Sequence, residues 1–155
     1  PEEGDPGQEV IFTDAFPRDG GKALLVPTSY HHAAELPDED YPLVLITGRQ
    51  LEHWHTGAMT RRASVLDAIE PEPVVTMHPE MLEDLGIAAG DQVKLESRRG
   101  EVAAVARIDK GLRPGQLFLP FCYQEAAANL LTNDALDPDG KIPEFKFCAV
   151  RLTRG

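Results

Sequence analysis

The sequence predicts a mainly β barrel, and three features of it do so. Apolar runs of strand length recur with turn signals between them, helical patterning is confined to one or two short segments, and no internal repeat is strong enough for a solenoid or propeller.

The elements follow in order. Residues 1–40 are rich in Pro, Gly, Asp and Glu and form a loose lead-in segment, in which Val10-Ile11-Phe12 and Ala23-Leu24-Leu25-Val26 could make one or two edge strands. The barrel domain is expected over 41–155. Leu43-Val44-Leu45-Ile46, preceded by Pro42 and ended by Gly48, has the continuous apolar pattern of a strand covered on both faces. Pro73 to Met77 is a second strand. Pro79 to Leu85 reads as a short helix, with Pro in its first turn, Glu80 and Glu83 near its positive end, His78 at its start and Gly86 as its stop. Gln92 to Glu96 and Glu101 to Ile108 alternate apolar and polar residues around Ser97-Arg98-Arg99-Gly100, a β-hairpin in which Gly supplies a positive φ. Pro114-Gly115 turns into the strand Gln116 to Phe121. Gln124 to Leu131 has helical character through its alanines, Asp137-Pro138-Asp139-Gly140 is a turn, and Phe145 to Leu152 is the closing strand.

Composition narrows the function classes. A formal net charge of −11 over 155 residues repels phosphodiester backbones and anionic lipid, so nucleic acid is not expected as a partner. No apolar run approaches the roughly 20 residues that span a bilayer, and no membrane association is expected. Cys122 and Cys148 lie in apolar surroundings without metal-ligand spacing, which predicts buried free thiols and suits a reducing, cytoplasmic compartment. The start, PEEGDPGQEV, lacks an initiator Met, a basic segment and an apolar segment, and reads as a cut from a longer chain.

Against the acidic background, TGRQLEHWHTGAMTRR (Thr47 to Arg62) is locally basic, with Arg49, Arg61 and Arg62 against the single acid Glu52. Small residues at a strand end expose backbone N–H groups, arginine offers a planar fork for phosphate oxygens, and Thr56, Gly57 and Thr60 add hydroxyls and close backbone approach. This chemistry fits a phosphate-bearing ligand. It equally fits a strand-end turn with a solvated arginine face. His53-x-His55 would share one face of a strand and could bite a metal, but no third ligand lies nearby in sequence, so no metal site is expected. Neither a P-loop nor a dinucleotide glycine fingerprint occurs.

From Tyr41 onward seven words follow one another in order: YPLVLITGR (Tyr41 to Arg49), EHWHTGAMTRR (Glu52 to Arg62), LGIAAGDQVKLESRRGEV (Leu85 to Val102), RPGQLFLPF (Arg113 to Phe121), ANLLT (Ala128 to Thr132), LDP (Leu136 to Pro138) and IPEFKFCAV (Ile142 to Val150). In these words and their order the chain resembles the C-terminal molybdopterin-dinucleotide-binding domain of the dimethyl sulfoxide reductase superfamily, and within it the formate dehydrogenase α subunits.

The resemblance implies a double-psi β-barrel of the aspartate-decarboxylase-like type. It also implies that Thr47, Gly48 and Arg49 contact a molybdopterin guanine dinucleotide, that His53, His55, Thr56, Gly57, Met59, Thr60 and Arg61 line its pterin and pyrophosphate, and that Phe121, Asn129 and Lys146 complete the pocket. The parent enzyme would oxidise formate to carbon dioxide at molybdenum or tungsten and pass electrons through iron–sulfur clusters in other domains. Partners would be the remaining domains of the α subunit and electron-transfer subunits. No cysteine-cluster run and no metal-ligating Cys occur in this chain, so no residue here is expected to be catalytic and the isolated chain is expected to be inactive. Two alternatives stand beside this reading. One is the same domain of an assimilatory nitrate reductase, and the other is a non-redox double-psi barrel of the kind that recruits substrates or adaptors to AAA ATPases.

Overall fold

Alternation of buried and exposed side chains, read strand by strand, builds a closed barrel whose interior is filled by branched apolar residues. The computed structural model describes residues 3–155. These divide into two units, one ending at His31 and one running from His32 to Gly155. The first holds a single 3₁₀ turn, Asp19–Gly21, with the rings of Phe12 and Phe16 at 5.3 Å. The edge strands expected at Val10-Ile11-Phe12 and Ala23-Leu24-Leu25-Val26 do not form, and Val10, Ile11, Leu24, Leu25 and Val26 are exposed. A strand needs a partner for its backbone N–H and C=O groups. Short apolar runs without one stay irregular.

The second unit carries six strands: β1 (Leu43–Gly48), β2 (Val74–Met77), β3 (Gln92–Glu96), β4 (Glu101–Ile108), β5 (Gln116–Pro120) and β6 (Cys148–Arg154). Around the barrel the order is β1-β5-β2-β4-β3-β6, closing back on β1. The pairings of β1 with β5 and of β2 with β4 are parallel, between strands far apart in sequence, and the rest are antiparallel. This is the double-psi architecture, and closure leaves no free edge. Leu45, Val75, Met77, Val93, Leu95, Leu117, Leu119 and Val150 are completely buried inside it. On β4 the inward residues Val102, Ala104 and Ala106 are small, which suits the limited interior of a small barrel.

The expected hairpin of β3 and β4 forms, with Gln92 opposite Val105 through Glu96 opposite Glu101. Its glycine serves a different purpose from the one expected. Gly100 has no positive φ; instead, a Cβ there would stand 2.9 Å from the carbonyl oxygen of Leu130. The helix α2 (Pro79–Leu85) is framed by the signals in its sequence. The His78 ring accepts from the Glu80 N–H at 3.3 Å, and Gly86 adopts φ 63° while the Ile87 N–H reaches Leu82 O at 2.9 Å.

Three departures have local causes. Helix α1 (Ser64–Ile69) has no buried residue and no side-chain N-cap, so neither periodicity nor a cap marks it in the sequence. Gln124 to Leu131 forms two separate 3₁₀ turns, Gln124–Ala126 and Ala128–Leu130. Ala126 and Ala128 are both buried; on one α-helix, residues two apart would face opposite sides. Finally, β6 starts at Cys148 rather than Phe145, because side chains take the carbonyls ahead of it. The Thr47 hydroxyl donates to Phe145 O at 2.5 Å and Asn133 Nδ2 to Phe147 O at 3.1 Å.

Residues 32–40 belong with the barrel unit and are fastened by carboxylates. Glu35 accepts from Arg99 and from the Ala149 N–H, and Asp38 pairs with Arg98. The Arg99 hydrogen bond holds the Glu35 carboxyl below its usual range. Its contribution to stability is therefore complete above the ordinary carboxylate pKa and is lost only as pH falls through the lowered value.

Candidate functional site

Because β1 and β5 run parallel with Gly48 opposite Pro120, the segments that leave them emerge side by side at one end of the barrel. The Phe121 N–H donates to Gly48 O at 3.1 Å and holds the two exits together. Between them lies a cavity of about 960 Å³, large enough for an extended small molecule. Arg49, His55 and Thr56 line it from the loop after β1, and Phe121, Tyr123 and Gln124 from the segment after β5. Ala127, Ala128, Asn129 and Thr132 form a third wall, and Pro143, Phe145 and Lys146 a fourth.

Among the described residues no Asp or Glu lines this cavity, although the chain carries 26 acids against 15 Lys and Arg. Arg49 and Lys146 make no ion pair among the described residues. The Arg49 guanidinium lies 5.6 Å from the Trp54 ring and the Lys146 ammonium 5.6 Å from the Phe145 ring. Two cations with no ion pair among the described residues, beside aromatic rings and with Thr56 and Asn129 in the same lining, have the chemistry to hold an anion carrying flat rings.

The loop behind the cavity is organised by His53, which is 1% exposed. Its Nε2–H donates to Glu70 O at 2.9 Å, leaving Nδ1 to accept from the Thr60 hydroxyl at 3.3 Å, while Thr60 Oγ1 accepts the Trp54 N–H at 2.9 Å. The Tyr123 hydroxyl donates to the same Glu70 carbonyl at 3.2 Å, and the rings of His53 and Tyr123 meet edge to face. Burial raises the Tyr123 phenol pKa, so it stays a donor. Arg61 fastens the other side of the loop. Its Nε donates to Asp67 at 2.6 Å and Nη2 to Glu125 at 2.8 Å, with the guanidinium 4.7 Å from the Tyr123 ring. Burial works to lower the Arg61 pKa, but the hydrogen bonds to Glu125 and Asp67 outweigh it. Its remaining Nη1 is buried without a partner, beside a smaller depression of about 360 Å³ that Gly57, Arg62 and Cys122 also line.

Of the residues expected at a cofactor site, Arg49, His55, Thr56, Phe121, Asn129 and Lys146 are brought together around the large cavity. Thr47 is buried and holds Phe145, and Gly48 packs under the Phe118 ring, where a Cβ would come within 2.4 Å. Gly57 and Arg61 face the smaller depression. His53 and Thr60 form the loop's internal network, and Met59 is 67% exposed. His53 and His55 do not share a face. His55 instead has φ 52° and lies 5.1 Å from the Phe121 ring, while His53 points inward. Among the described residues no group of three or more His, Cys, Asp and Glu could hold a metal. Tyr123, Gln124, Thr132 and Phe145 line the cavity but are not among the site residues expected from sequence; Thr132 and Phe145 lie in the words ANLLT and IPEFKFCAV, while nothing in the sequence points to Tyr123 or Gln124.

Comparison with known proteins bears on what such a cavity takes. Residues 43–149 match the family model described as the Molydopterin dinucleotide binding domain. The chain belongs to this family. The matched span covers the whole barrel up to β6 and every segment that lines the cavity. The chain is 45% identical over 153 residues to the F420-dependent formate dehydrogenase subunit alpha of Methanocaldococcus jannaschii, covering 99% of this chain and 23% of that protein. It is 39% identical over 150 residues to the F420-dependent formate dehydrogenase 1 subunit alpha of Methanococcus maripaludis, covering 97% of this chain and 22% of that protein. The chain thus spans under a quarter of the length of these curated relatives. Among solved structures, acetylene hydratase from Pelobacter acetylenicus superposes with a TM-score of 0.71 at 19% identity, over 81% of this chain and 21% of that one. At that identity the likeness is one of fold.

The two cysteines of this family member are free and buried. Burial pushes both thiols up to about 11. Below the ordinary thiol pKa both folded and unfolded thiols are neutral, so the native state loses stability only as pH rises above that value. We expect iodoacetamide at pH 8 to leave Cys122 and Cys148 unmodified in the native protein and to label both in denaturant; rapid native labelling seen by mass spectrometry would contradict this.

Proposed function

We propose that the chain binds a molybdopterin guanine dinucleotide in the α subunit of a molybdenum- or tungsten-dependent formate dehydrogenase of the cytoplasm. The observation that carries this is the cavity in which, among the described residues, no carboxylate lies and Arg49 and Lys146 make no ion pair, in a chain 45% identical over 99% of its own length to a formate dehydrogenase α subunit. The residues present fit such a group: the two cations meet phosphate oxygens, Thr56, His55 and Asn129 offer hydrogen bonds, and Phe121 and Phe145 offer faces to flat rings. Thr47, Gly48, His53, Gly57, Thr60 and Arg61 act by shaping the loop that presents Arg49 and Thr56, while Met59 is open to contact from outside.

When bound, the metal held by the pterin supplies the two-electron oxidation of formate to carbon dioxide. This chain's part is to bind and orient the cofactor through many modest contacts. The relatives' names favour formate over nitrate, and family membership speaks against a non-redox recruiting module. Iron–sulfur clusters and the metal ligand would belong to other parts of the parent, which are its nearest partners together with electron-transfer subunits. Among the described residues no helix is long and apolar enough to cross a membrane, and buried free thiols suit a reducing compartment.

The test is to purify the full-length protein that carries this chain from cells given molybdate or tungstate. Stoichiometric metal, release of GMP on acid hydrolysis and dye reduction driven by formate are expected. Release of a different nucleotide, or nitrate reduction without formate oxidation, would overturn the reading.

A further inference from the structure

We infer that Arg99, clasped by Glu35, is a positioning residue that sets the cavity wall carrying Asn129 and Thr132. The inference rests on the proposed function, since it concerns the same site. Arg99 lies on the turn between β3 and β4 and does not line the cavity. Its Nε and Nη2 donate to Leu131 O at 3.0 and 2.8 Å, and its Nη1 and Nη2 donate to the two Glu35 carboxylate oxygens at 2.5 and 2.9 Å. Glu35 Oε1 in turn accepts the Ala149 N–H at 2.7 Å.

The carbonyl at the end of a short helical turn has no partner within the turn. Leu131 closes the turn Ala128–Leu130 and precedes Thr132, so two guanidinium donors on its carbonyl fix where the turn ends. The planar fork is what allows one side chain to hold a carbonyl and a carboxylate together; the single ammonium of lysine does not match both.

A second contact points the same way. The absent side chain of Gly100 lets the hairpin backbone abut this turn, and a Cβ would stand 2.9 Å from Leu130 O and 3.6 Å from Leu130 Cβ. The hairpin therefore holds the turn by a hydrogen-bonded clasp and limits it by backbone contact. The segment bearing Glu35 also reaches the wall with Lys146. The Ala34 N–H donates to Glu144 Oε2 at 3.0 Å, and Asn133 Nδ2 lies 3.3 Å from the same oxygen. Positions 34 and 35 thus tie two walls of the cavity to one strap.

The test uses the full-length protein prepared without cofactor, with GDP as the probe, in a double-mutant cycle. Arg99→Met is expected to weaken GDP binding about 5- to 10-fold and to add no further loss in an Asn129→Ala background, because it acts through that wall. Arg99→Lys should recover the affinity only in part. Gly100→Ala, which moves the same wall from the other side, should give a loss of the same kind and serves where Arg99→Met fails to fold. Unchanged GDP affinity in the folded Arg99 and Gly100 variants would overturn the inference alone. So would an equal loss with and without Asn129, the mark of a merely structural role. Failure of the unsubstituted protein to bind GDP would overturn the proposed function and the inference together.

Discussion

Arg49→Ala is expected to weaken binding of the dinucleotide by about 10- to 100-fold, the scale of one or two charge-assisted hydrogen bonds lost from a phosphate. The chain itself should stay as stable as before. Arg49 is exposed, pairs with no acid among the described residues and has its guanidinium 5.6 Å from the Trp54 ring, so its removal leaves no carboxylate stranded. Arg49→Lys keeps the charge and loses the fork, and an intermediate loss is expected. The measurement is metal and pterin content of the purified full-length protein at limiting cofactor. Full occupancy of the alanine variant would remove Arg49 from the site.

Gly57→Ala should be strongly damaging for a single methyl group, because conformation and contact both oppose it. Gly57 has φ 74°, and a Cβ there would stand 2.6 Å from Cys122 O and 2.6 Å from Arg61 Cγ. The conformation alone costs about 1–3 kcal/mol for a residue other than glycine. The contacts cannot relax cheaply, because one is backbone and the other belongs to a side chain held by Asp67 and Glu125. Shifting Cys122 displaces Phe121 and Tyr123, and shifting Gly57 displaces Thr56, so the damage passes to two cavity walls. A fall in melting temperature of roughly 3–10 °C together with reduced cofactor occupancy is expected. Gly86→Ala is the control: Gly86 has φ 63° but nothing lies within 4 Å of its Cβ position, so it should lower stability by about 1 kcal/mol and leave occupancy unchanged. Equal occupancy in the two variants would contradict the argument.

The elements legible in the sequence are those whose causes are local. The β3 and β4 hairpin follows from alternation over Gln92–Glu96 and Glu101–Ile108, and α2 from Pro79 at its start and Gly86 at its end. Elements with distant causes were misjudged or missed. Helix α1 buries no apolar face. The expected helix over Gln124 to Leu131 breaks because Ala126 and Ala128 both turn inward, and β6 begins late because Thr47 and Asn133 take the carbonyls ahead of it. The positive φ expected of Gly100 is absent; what the position requires instead is the nearness of Leu130 O, a contact from a distant segment.

The site divides along the same line. By itself the sequence determined the barrel class, through strand periodicity and turn residues, and the family, through ordered words such as YPLVLITGR and EHWHTGAMTRR; it marked the loop from Thr47 to Arg62 as locally basic, because arginine content is a local property. It could not tell Arg49 from Arg61, which share that loop. Tertiary structure distinguishes them by bringing Asp67 and Glu125 to Arg61 while, among the described residues, no acid pairs with Arg49. The physical reason is that a carboxylate occupies guanidinium donors a ligand would otherwise use, and whether one is supplied depends in part on residues far along the chain, as Glu125 is from Arg61.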